Sequence, residues 1–474
     1  MKAVLKDDFE SFYDSYENEN VHALRINPLK CNGTLREEVI LNYCKEPVTW
    51  CTEGYYYDED SHPGRSAFHE MGLFYIQEPS AMLVGELAGA KPGERVLDLC
   101  AAPGGKTTHL AGQLRGEGLL VSNEIDYTRA KILSRNVERM GIKNCVVTSA
   151  SPDQLSKVFY GFFDRIVVDS PCSGEGMFKK EEAAVSNWSE GNVAMCAERS
   201  KTIVDEAVKM LAPGGVMVYS TCTFALEEDE YIIKYILENY PYMKLSQPED
   251  QDLFEGLSGP VCESEYFREH SVDGKTPAIY RIWPHINTGE GHFAARLVKS
   301  GQKQESVFSD TGETVDIPNA KEVRKGGKDK KSKKTAGAFD LKPVLEFFDG
   351  NITGITVNTG RIRTIADSLW LIPDIPAGDI KTLRFGLELG MMKKDRFEPA
   401  HAFAMALDPG QVKNVFETED PASYLAGNTI GCDGDNKGWV LITHKGAPLG
   451  WGKASGGVIK NHYPKGLRRT NIDR

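Results

Sequence analysis

The stretch Val96-Leu97-Asp98-Leu99-Cys100-Ala101-Ala102-Pro103-Gly104-Gly105-Lys106-Thr107-Thr108-His109-Leu110-Ala111 decides the fold. Its first four residues read as a buried parallel strand, and the residues after Gly105 have helical period. The middle is therefore a strand-to-helix turn. Two glycines there let a ligand approach the backbone, and the helix that follows offers unpaired N–H groups and the positive end of its dipole.

Such a turn suits a nucleotide-like ligand, and three ligand classes compete for it. A P-loop ends in Gly-Lys-Thr, as Gly105-Lys106-Thr107 does, but its first glycine would fall at Cys100. A dinucleotide site needs G-x-G-x-x-G, a spacing absent from this turn. Glu124 nevertheless lies 20 residues beyond Gly104, at the end of the next apolar run, where an acid holds ribose hydroxyls. An S-adenosylmethionine site uses that acid without a pyrophosphate cradle. A turn without ligand stays open on these residues alone.

Outward from this turn, strand and helix alternate. Ala81 to Leu87 reads as a helix, Leu119 to Glu124 as a second strand, and Asp126 as the cap of a helix bearing Ala130, Leu133, Val137 and Met140. Strands follow at Cys145 to Thr148, Phe162 to Val168 and Val216 to Ser220. A helix is expected from about Met195 to Leu211, broken by Pro213-Gly214-Gly215, and Ala278 to Trp283 with His292 to Leu297 reads as a closing antiparallel pair. The pattern predicts a doubly wound, Rossmann-like α/β sheet whose ligands sit outside the carboxyl ends of its strands.

The flanks are organised differently. Residues 1–75 read as a small α+β accessory domain that binds RNA, with a helix near Asp8 to Tyr16, a strand at Val21 to Asn27 and three tyrosines at 55–57. Arg25 on that strand is a phosphate-contact candidate or an edge cap. Residues 76–300 form the catalytic domain. Residues 301–337 read as a flexible linker that includes KEVRKGGKDKKSKK, with eight basic and two acidic residues between Lys321 and Lys334. Residues 338–415 and 416–474 read as two C-terminal modules, the second β-rich. Lys460, Lys465, Arg468 and Arg469 in its basic tail are RNA-contact candidates.

Composition bounds the function. The 474 residues exceed one core, and 56 basic against 68 acidic residues give a net charge of −12, so nucleic-acid binding must come from local basic surface. The first residues lack a signal-peptide core, and no run approaches the ~20 apolar residues of a membrane span. Ten cysteines without a C-x-x-C pair predict reduced thiols in the cytoplasm, with neither a metal site nor a disulfide scaffold.

Two of those cysteines stand at strand ends, in Asp169-Ser170-Pro171-Cys172-Ser173 and Ser220-Thr221-Cys222-Thr223. A lone buried cysteine is usually a small hydrophobe. Two facing one cleft beside an acid suit methylation of a pyrimidine at carbon 5. That carbon is too poor a nucleophile unaided; a thiolate adding to carbon 6 makes it an enamine carbon, and a carboxyl group near N3 and the exocyclic amine stabilises the addition.

Taken in order, FYIQEPSAM (74–82), VLDLCAAPGGKT (96–107), DSPCSGEGMF (169–178) and YSTCT (219–223) resemble the Sun (Fmu, nucleolar-protein) family of RNA (cytosine-5)-methyltransferases. HALRINPLK (22–30), GLELGMMKKDRFEPAHAFAMAL (386–407), PLGWGK (448–453) and KNHYPKGLR (460–468) resemble its bacterial ribosomal RNA branch, with a PUA-like last domain. The resemblance implies S-adenosylmethionine held by Cys100, Ala101, Ala102, Pro103, Gly104, Gly105, Lys106, Glu124 and Asp169. It implies Cys222 as nucleophile, Cys172 in product release and Asp169 between cofactor and base. Many members also carry an acid after strand three that reads adenine; Thr148-Ser149-Ala150-Ser151 has none before Asp153, so Ser149, backbone or Asp153 remain alternatives.

The implied substrate is a cytosine of RNA, 16S ribosomal RNA or the small subunit first and transfer RNA second, and the implied state is a monomer. A non-catalytic RNA-binding protein on the same fold would be favoured had either cysteine been replaced. A small-molecule methyltransferase leaves the paired cysteines and basic tail without a purpose.

Overall fold

The computed structural model describes residues 1–302, 341–355, 358–394, 396–433 and 437–472. The basic run at 321–334 and most of the expected linker lie outside the described residues. The chain forms two compact units, one of residues 1–64, 72–308 and 380–383, the other of residues 65–71, 309–379 and 384–474.

The first unit is built on strands β4 (Arg95–Asp98), β5 (Leu119–Asn123), β6 (Cys145–Thr148), β7 (Phe163–Asp169), β8 (Leu211–Thr221), β10 (Ile279–Ile282) and β11 (His292–Lys299), with β9 (Met243–Leu245) beside β11. The order is β10-β11-β8-β7-β4-β5-β6, parallel from β8 to β6 and antiparallel at β11 and β10. The doubly wound expectation therefore holds. Strand order reverses at β4, which lies between β7 and β5, so the crevice beyond the ends of β4 and β7 is where such a sheet takes its ligand.

The pattern of burial explains the strands. Val96, Leu97, Leu119, Leu120, Val121, Ile166 and Val167 are all fully buried, as strands covered on both faces require. Helices Pro79–Ala88, Gly105–Leu114, Tyr127–Arg139, Glu190–Met210 and Glu230–Asn239 accompany them. Asp126 caps its helix as expected, accepting from the Arg129 N–H at 2.8 Å.

Two element boundaries differ from the sequence expectation. The long helix starts at Glu190 rather than Met195, because the Ser189 hydroxyl accepts from the Asn192 N–H and supplies an N-cap. Pro213-Gly214-Gly215 does not separate helix from strand: β8 begins at Leu211, and its register on β7 jumps from Phe163↔Leu211 to Arg165↔Val216. A bulge absorbs the three residues. Gly214 has φ 74°, and a Cβ at Gly215 would meet Ala212 O at 2.9 Å, so glycine is needed at both.

Near the N-terminus, β1 (Ala23–Ile26) lies between β2 (Gly54–Tyr56) and β3 (Phe74–Ile76). Arg25, expected as a phosphate contact or an edge cap, is neither. It sits on the central strand at 1% exposure, and its guanidinium donates to Gln77 Oε1 (3.0 Å), Gly105 O (3.1 Å) and Thr108 Oγ1 (2.7 Å). Its charge is spent tying β1 to the helix of the glycine turn. Arg25→Ala should lower stability by about 3 kcal/mol or more, since hydrogen bonds to a charged group are worth ~1.5–3 kcal/mol each. Chemical denaturation reads this; an unchanged midpoint would deny the strut.

In the second unit, strands Ile362–Ile365, Ser368–Leu371, Leu387–Lys393 and Arg396–Pro399 form one sheet and a five-stranded sheet follows. One apolar cluster runs from Val344 and Phe347 through Phe403 and Val412 to Trp439 and Trp451. Lys460, Lys465, Arg468 and Arg469 are exposed. Arg469 Nε is 3.1 Å from Glu70 Oε1, and Tyr463 is buried rather than offered for stacking.

Candidate active site

Parallel pairing of β7 and β8 with Asp169 opposite Ser220 brings the two cysteine-bearing loops side by side. Cys172 Sγ and Cys222 Sγ are 3.3 Å apart at the wall of a cavity of about 790 Å³. Met177, Ala183, Ala184 and Met195 give that cavity its apolar lining, and Asn187 and Asn192 are among its polar groups. The hydrogen bond to Cys222, then burial, pushes the Cys172 thiol well above its ordinary value. Cys172 therefore favours its protonated form beside Cys222.

Asp169, at the end of β7, has both carboxylate oxygens engaged. Lys106 Nζ is 2.6 Å from Oδ2, and the Ser220 hydroxyl donates to Oδ1 at 2.8 Å. His292 Nε2 stands 3.6 Å from Oδ1, beyond hydrogen-bond reach. Burial alone would raise the Asp169 carboxyl; the Lys106 ammonium and then His292 outweigh it and hold it well below the usual range. Burial would likewise lower Lys106, and Asp169 reverses that. The two form an ion pair at working pH.

The glycine turn has the shape a cofactor needs. Gly104 has φ 119° and opens the Gly105–Leu114 helix, and a Cβ there would stand 3.2 Å from Leu133 Cδ1. Arg129 Nη2 donates to Ala102 O at 2.9 Å and Asn136 Nδ2 to Pro103 O at 2.9 Å, which fixes the turn from the neighbouring helix. Glu124 is buried just past the end of β5, its Oε1 accepting from the Asp126 N–H at 3.0 Å and its Oε2 3.4 Å from Arg129. Burial, then the carboxylates of Asp169, Asp98 and Glu124, pushes the Cys100 thiol up, so Cys100 is no nucleophile.

Asp98 reveals the fit most directly. Its Oδ2 accepts from Thr107 Oγ1 at 2.6 Å, but Oδ1 is buried with no hydrogen-bond partner among the described residues, and burial pushes the carboxyl up to about 7. A buried acceptor left open costs stability unless a ligand fills it. Asp98, Glu124 and Asp169 stand at the ends of adjacent strands and offer carboxylate oxygens as acceptors toward a bound cofactor. The residues present fit S-adenosylmethionine.

Several contributors are not legible in the sequence. Asn123 bridges three strand ends, donating to Leu99 O and Ala150 O and accepting from the Ala150 N–H. Ser220 and His292 reach Asp169 only through the β8 and β11 registers; aligning Phe293 with Thr221 would have located the histidine. Asp153 hydrogen-bonds Ser151 Oγ and lies 3.2 Å from Lys157 at the surface, while Ser149 Oγ donates to Ile125 O. The carboxylate nearest in sequence thus has partners of its own.

Among the described residues one mixed grouping, Cys51, Glu86 and His109, brings possible metal ligands within 4.8 Å, a proximity that their spacing in sequence hides. It is closed on itself: Glu86 Oε1 lies 3.3 Å from His109 Nε2 and accepts from the Thr52 N–H. Burial and then the nearby Arg25 charge lower His109, and that same charge opposes a cation.

Comparison with known proteins agrees with this geometry. Residues 87–298 match the 16S rRNA methyltransferase RsmB/F family, and residues 1–79, 346–407 and 413–469 match the N-terminal, first C-terminal and PUA domains described for RsmF. Ribosomal RNA small subunit methyltransferase F of Shewanella baltica (strain OS185) is 30% identical over 473 residues, covering 95% of this chain and 91% of that protein. The protein of that name from Shewanella oneidensis is 31% identical over 467 residues with the same coverage. A methyltransferase homolog from Pyrococcus horikoshii superposes with a TM-score of 0.52 at 26% identity, covering 62% of this chain and 91% of that one. NSun6 from Pyrococcus horikoshii shares the fold at a TM-score of 0.52 and 20% identity, covering 64% of this chain and 97% of that one. With the paired thiols, the glycine turn and matches along most of its length, the chain belongs to the 16S rRNA methyltransferase RsmB/F family.

Proposed function

We propose that this protein methylates carbon 5 of a cytosine in small-subunit ribosomal RNA, with S-adenosylmethionine as cofactor and through a covalent bond from Cys222 to carbon 6. The observation that carries the reading is the thiol pair 3.3 Å apart at one cavity wall.

In this mechanism a base leaves its RNA stack and enters the cavity. Cys222 adds as thiolate to carbon 6, Cys172 supporting it by donating a hydrogen bond, and the displaced electron pair moves toward N3. Asp169, ionised throughout, accepts from the exocyclic amine. Because it carries no proton to give, the adjacent Lys106 ammonium is the charge that stabilises the developing anion. The turn from Cys100 to Lys106, with Asp98 and Glu124, would hold the cofactor, whose sulfonium would give its methyl group to carbon 5 and leave as a neutral thioether. Loss of the carbon 5 proton to water then restores the ring and expels the Cys222 thiolate, and Cys172 is assigned to that stage as the thiol that donates a hydrogen bond to the departing sulfur. Both thiols must stay reduced, which assigns the enzyme to the cytoplasm. No helix among the described residues is long and apolar enough to cross a membrane.

Glu124→Ala tests the cofactor site. One charge-assisted hydrogen bond is worth ~1.5–3 kcal/mol, so the dissociation constant for S-adenosylmethionine should rise about ten- to a hundredfold by calorimetry. An unchanged constant would remove Glu124 from the site. The exposed Lys460, Lys465 and Arg468 are assigned to RNA phosphates. Changing all three to Ala should raise KM for RNA, leave cofactor affinity alone and flatten the salt dependence by about 0.7 in slope for each phosphate no longer neutralised. An unaltered slope would free the tail of that role.

A further inference from the structure

The two cysteine loops carry a pair of acids that the mechanism above does not use. Glu228 is fully buried; its Oε2 accepts from the Ser173 N–H at 2.9 Å, and its Oε1 is 2.5 Å from Ser173 Oγ. Glu175 is buried too; its Oε2 accepts from the Phe224 N–H at 3.0 Å and from Thr223 Oγ1 at 3.2 Å, and its Oε1 from Trp188 Nε1 at 3.0 Å. Ser173 Oγ and Thr223 Oγ1 are 2.9 Å apart, which closes a chain from one acid to the other. The wiring is crossed. Glu228 follows Cys222 in sequence but holds the residue after Cys172; Glu175 follows Cys172 but holds the residues after Cys222.

Backbone packing reinforces the crossing. The Gly176 N–H donates to Cys222 O at 2.9 Å, and a Cβ at Gly176 would meet that same oxygen at 2.9 Å. The Tyr219 hydroxyl fixes Glu228 by donating to its backbone carbonyl at 2.6 Å.

A proton count along the chain assigns its charge. Three links, Glu228 to Ser173, Ser173 to Thr223 and Thr223 to Glu175, need three hydrogens, and the two hydroxyls supply two. The third must sit on a carboxyl. Glu175 already accepts from three donors, whereas burial pushes Glu228 up to about 7, so the proton is assigned to Glu228.

We infer that Glu228 and Glu175 form a reciprocal clamp of positioning residues, each set on one catalytic loop and fixing the thiol of the other. Resting on the covalent reading above, the clamp assigns different failures to the two acids. Loss of Glu228 frees the Cys172 loop and should impair release; loss of Glu175 frees the Cys222 loop and should impair addition. A displacement of about 1 Å at a reacting group costs of order a hundredfold.

The test uses full-length protein with the variants Glu228→Ala, Glu175→Ala, Glu228→Gln and Glu175→Gln, their folding checked by thermal melting. With substrate RNA and S-adenosylmethionine, Glu228→Ala should accumulate a denaturant-stable protein–RNA complex, with release slowed about ten- to a hundredfold and kcat/KM for RNA unchanged. Glu175→Ala should slow formation of that complex by a similar factor and accumulate none. Glu228→Gln, which donates to Ser173 Oγ and accepts from the Ser173 N–H as neutral Glu228 does, should restore release.

A second readout does not involve RNA. Diamide, oxidising the two thiols, should join Cys172 to Cys222 quickly in the wild type and in Glu228→Gln, but at least tenfold more slowly in both alanine variants. Equal diamide rates in all variants, or the same step of the RNA reaction impaired in both folded alanine variants, would overturn the clamp. A slowed diamide reaction in the alanine variants, with no denaturant-stable complex between the wild type and 5-fluorocytosine RNA, would uphold the clamp and reject the covalent reading.

Discussion

Cys222→Ala should yield neither methylated RNA nor a covalent complex, while binding S-adenosylmethionine as the wild type does. The size of the loss follows from the chemistry: carbon 5 of cytosine has no route to the methyl group until carbon 6 has been attacked. Removing the nucleophile of a covalent mechanism costs of order 10⁴ to 10⁶ in rate. The Cys222 thiol faces Cys172 at 3.3 Å, whereas Asp169 is held by Lys106 and Ser220, so the substitution leaves the Asp169–Lys106 pair and the glycine turn intact. A radiolabelled methyl-transfer assay reads the loss, with calorimetry as the binding control. Residual activity above about a hundredth of the wild type would show that carbon 5 is activated by some other group.

Cys172→Ala fails differently. The addition step should keep its thiolate and the methyl group should be taken up, but the thiol that faces the adduct is gone. Methylated RNA should then remain attached to Cys222, giving a shifted band on a denaturing gel that carries both RNA and labelled methyl. Turnover should stop after about one equivalent. If Cys172→Ala instead turns over freely, the second thiol is a neighbour without a part in release. If the trapped band belongs to Cys222→Ala, the roles assigned to the two cysteines are exchanged.

How far the sequence reveals this site depends on how local each feature is. The turn from Cys100 to Lys106 is written in consecutive residues, because a strand, two glycines and a helix are a short-range pattern. Both cysteines are legible as strand ends for the same reason. Arg25 misleads because a basic residue on an alternating strand looks alike whether its strand is central or at an edge; only the pairing of β1 with both β2 and β3 buries it. Pro213-Gly214-Gly215 reads as a break, but a bulge against Phe163 and Arg165 accommodates it within β8.

The Glu228–Glu175 chain lies beyond sequence reasoning altogether. Its members are about fifty residues apart and meet only because β7 and β8 are adjacent and parallel, with Asp169 opposite Ser220. Asp98 is intermediate: its place in the turn is visible, but its open oxygen and raised carboxyl are consequences of burial that composition does not encode. Long-range register, more than local propensity, decides which side chains become chemistry.

The most direct test of the account is peptide mapping of the covalent complex. Wild-type protein is incubated with S-adenosylmethionine and small-subunit ribosomal RNA carrying 5-fluorocytosine, whose fluorine cannot leave as the carbon 5 proton does, so the adduct persists. After nuclease and protease digestion, mass spectrometry should find the methylated fluoropyrimidine on the peptide that contains Cys222, and on no other. The same adduct on the Cys172 peptide, or its absence from RNA that is otherwise methylated normally, would contradict the account.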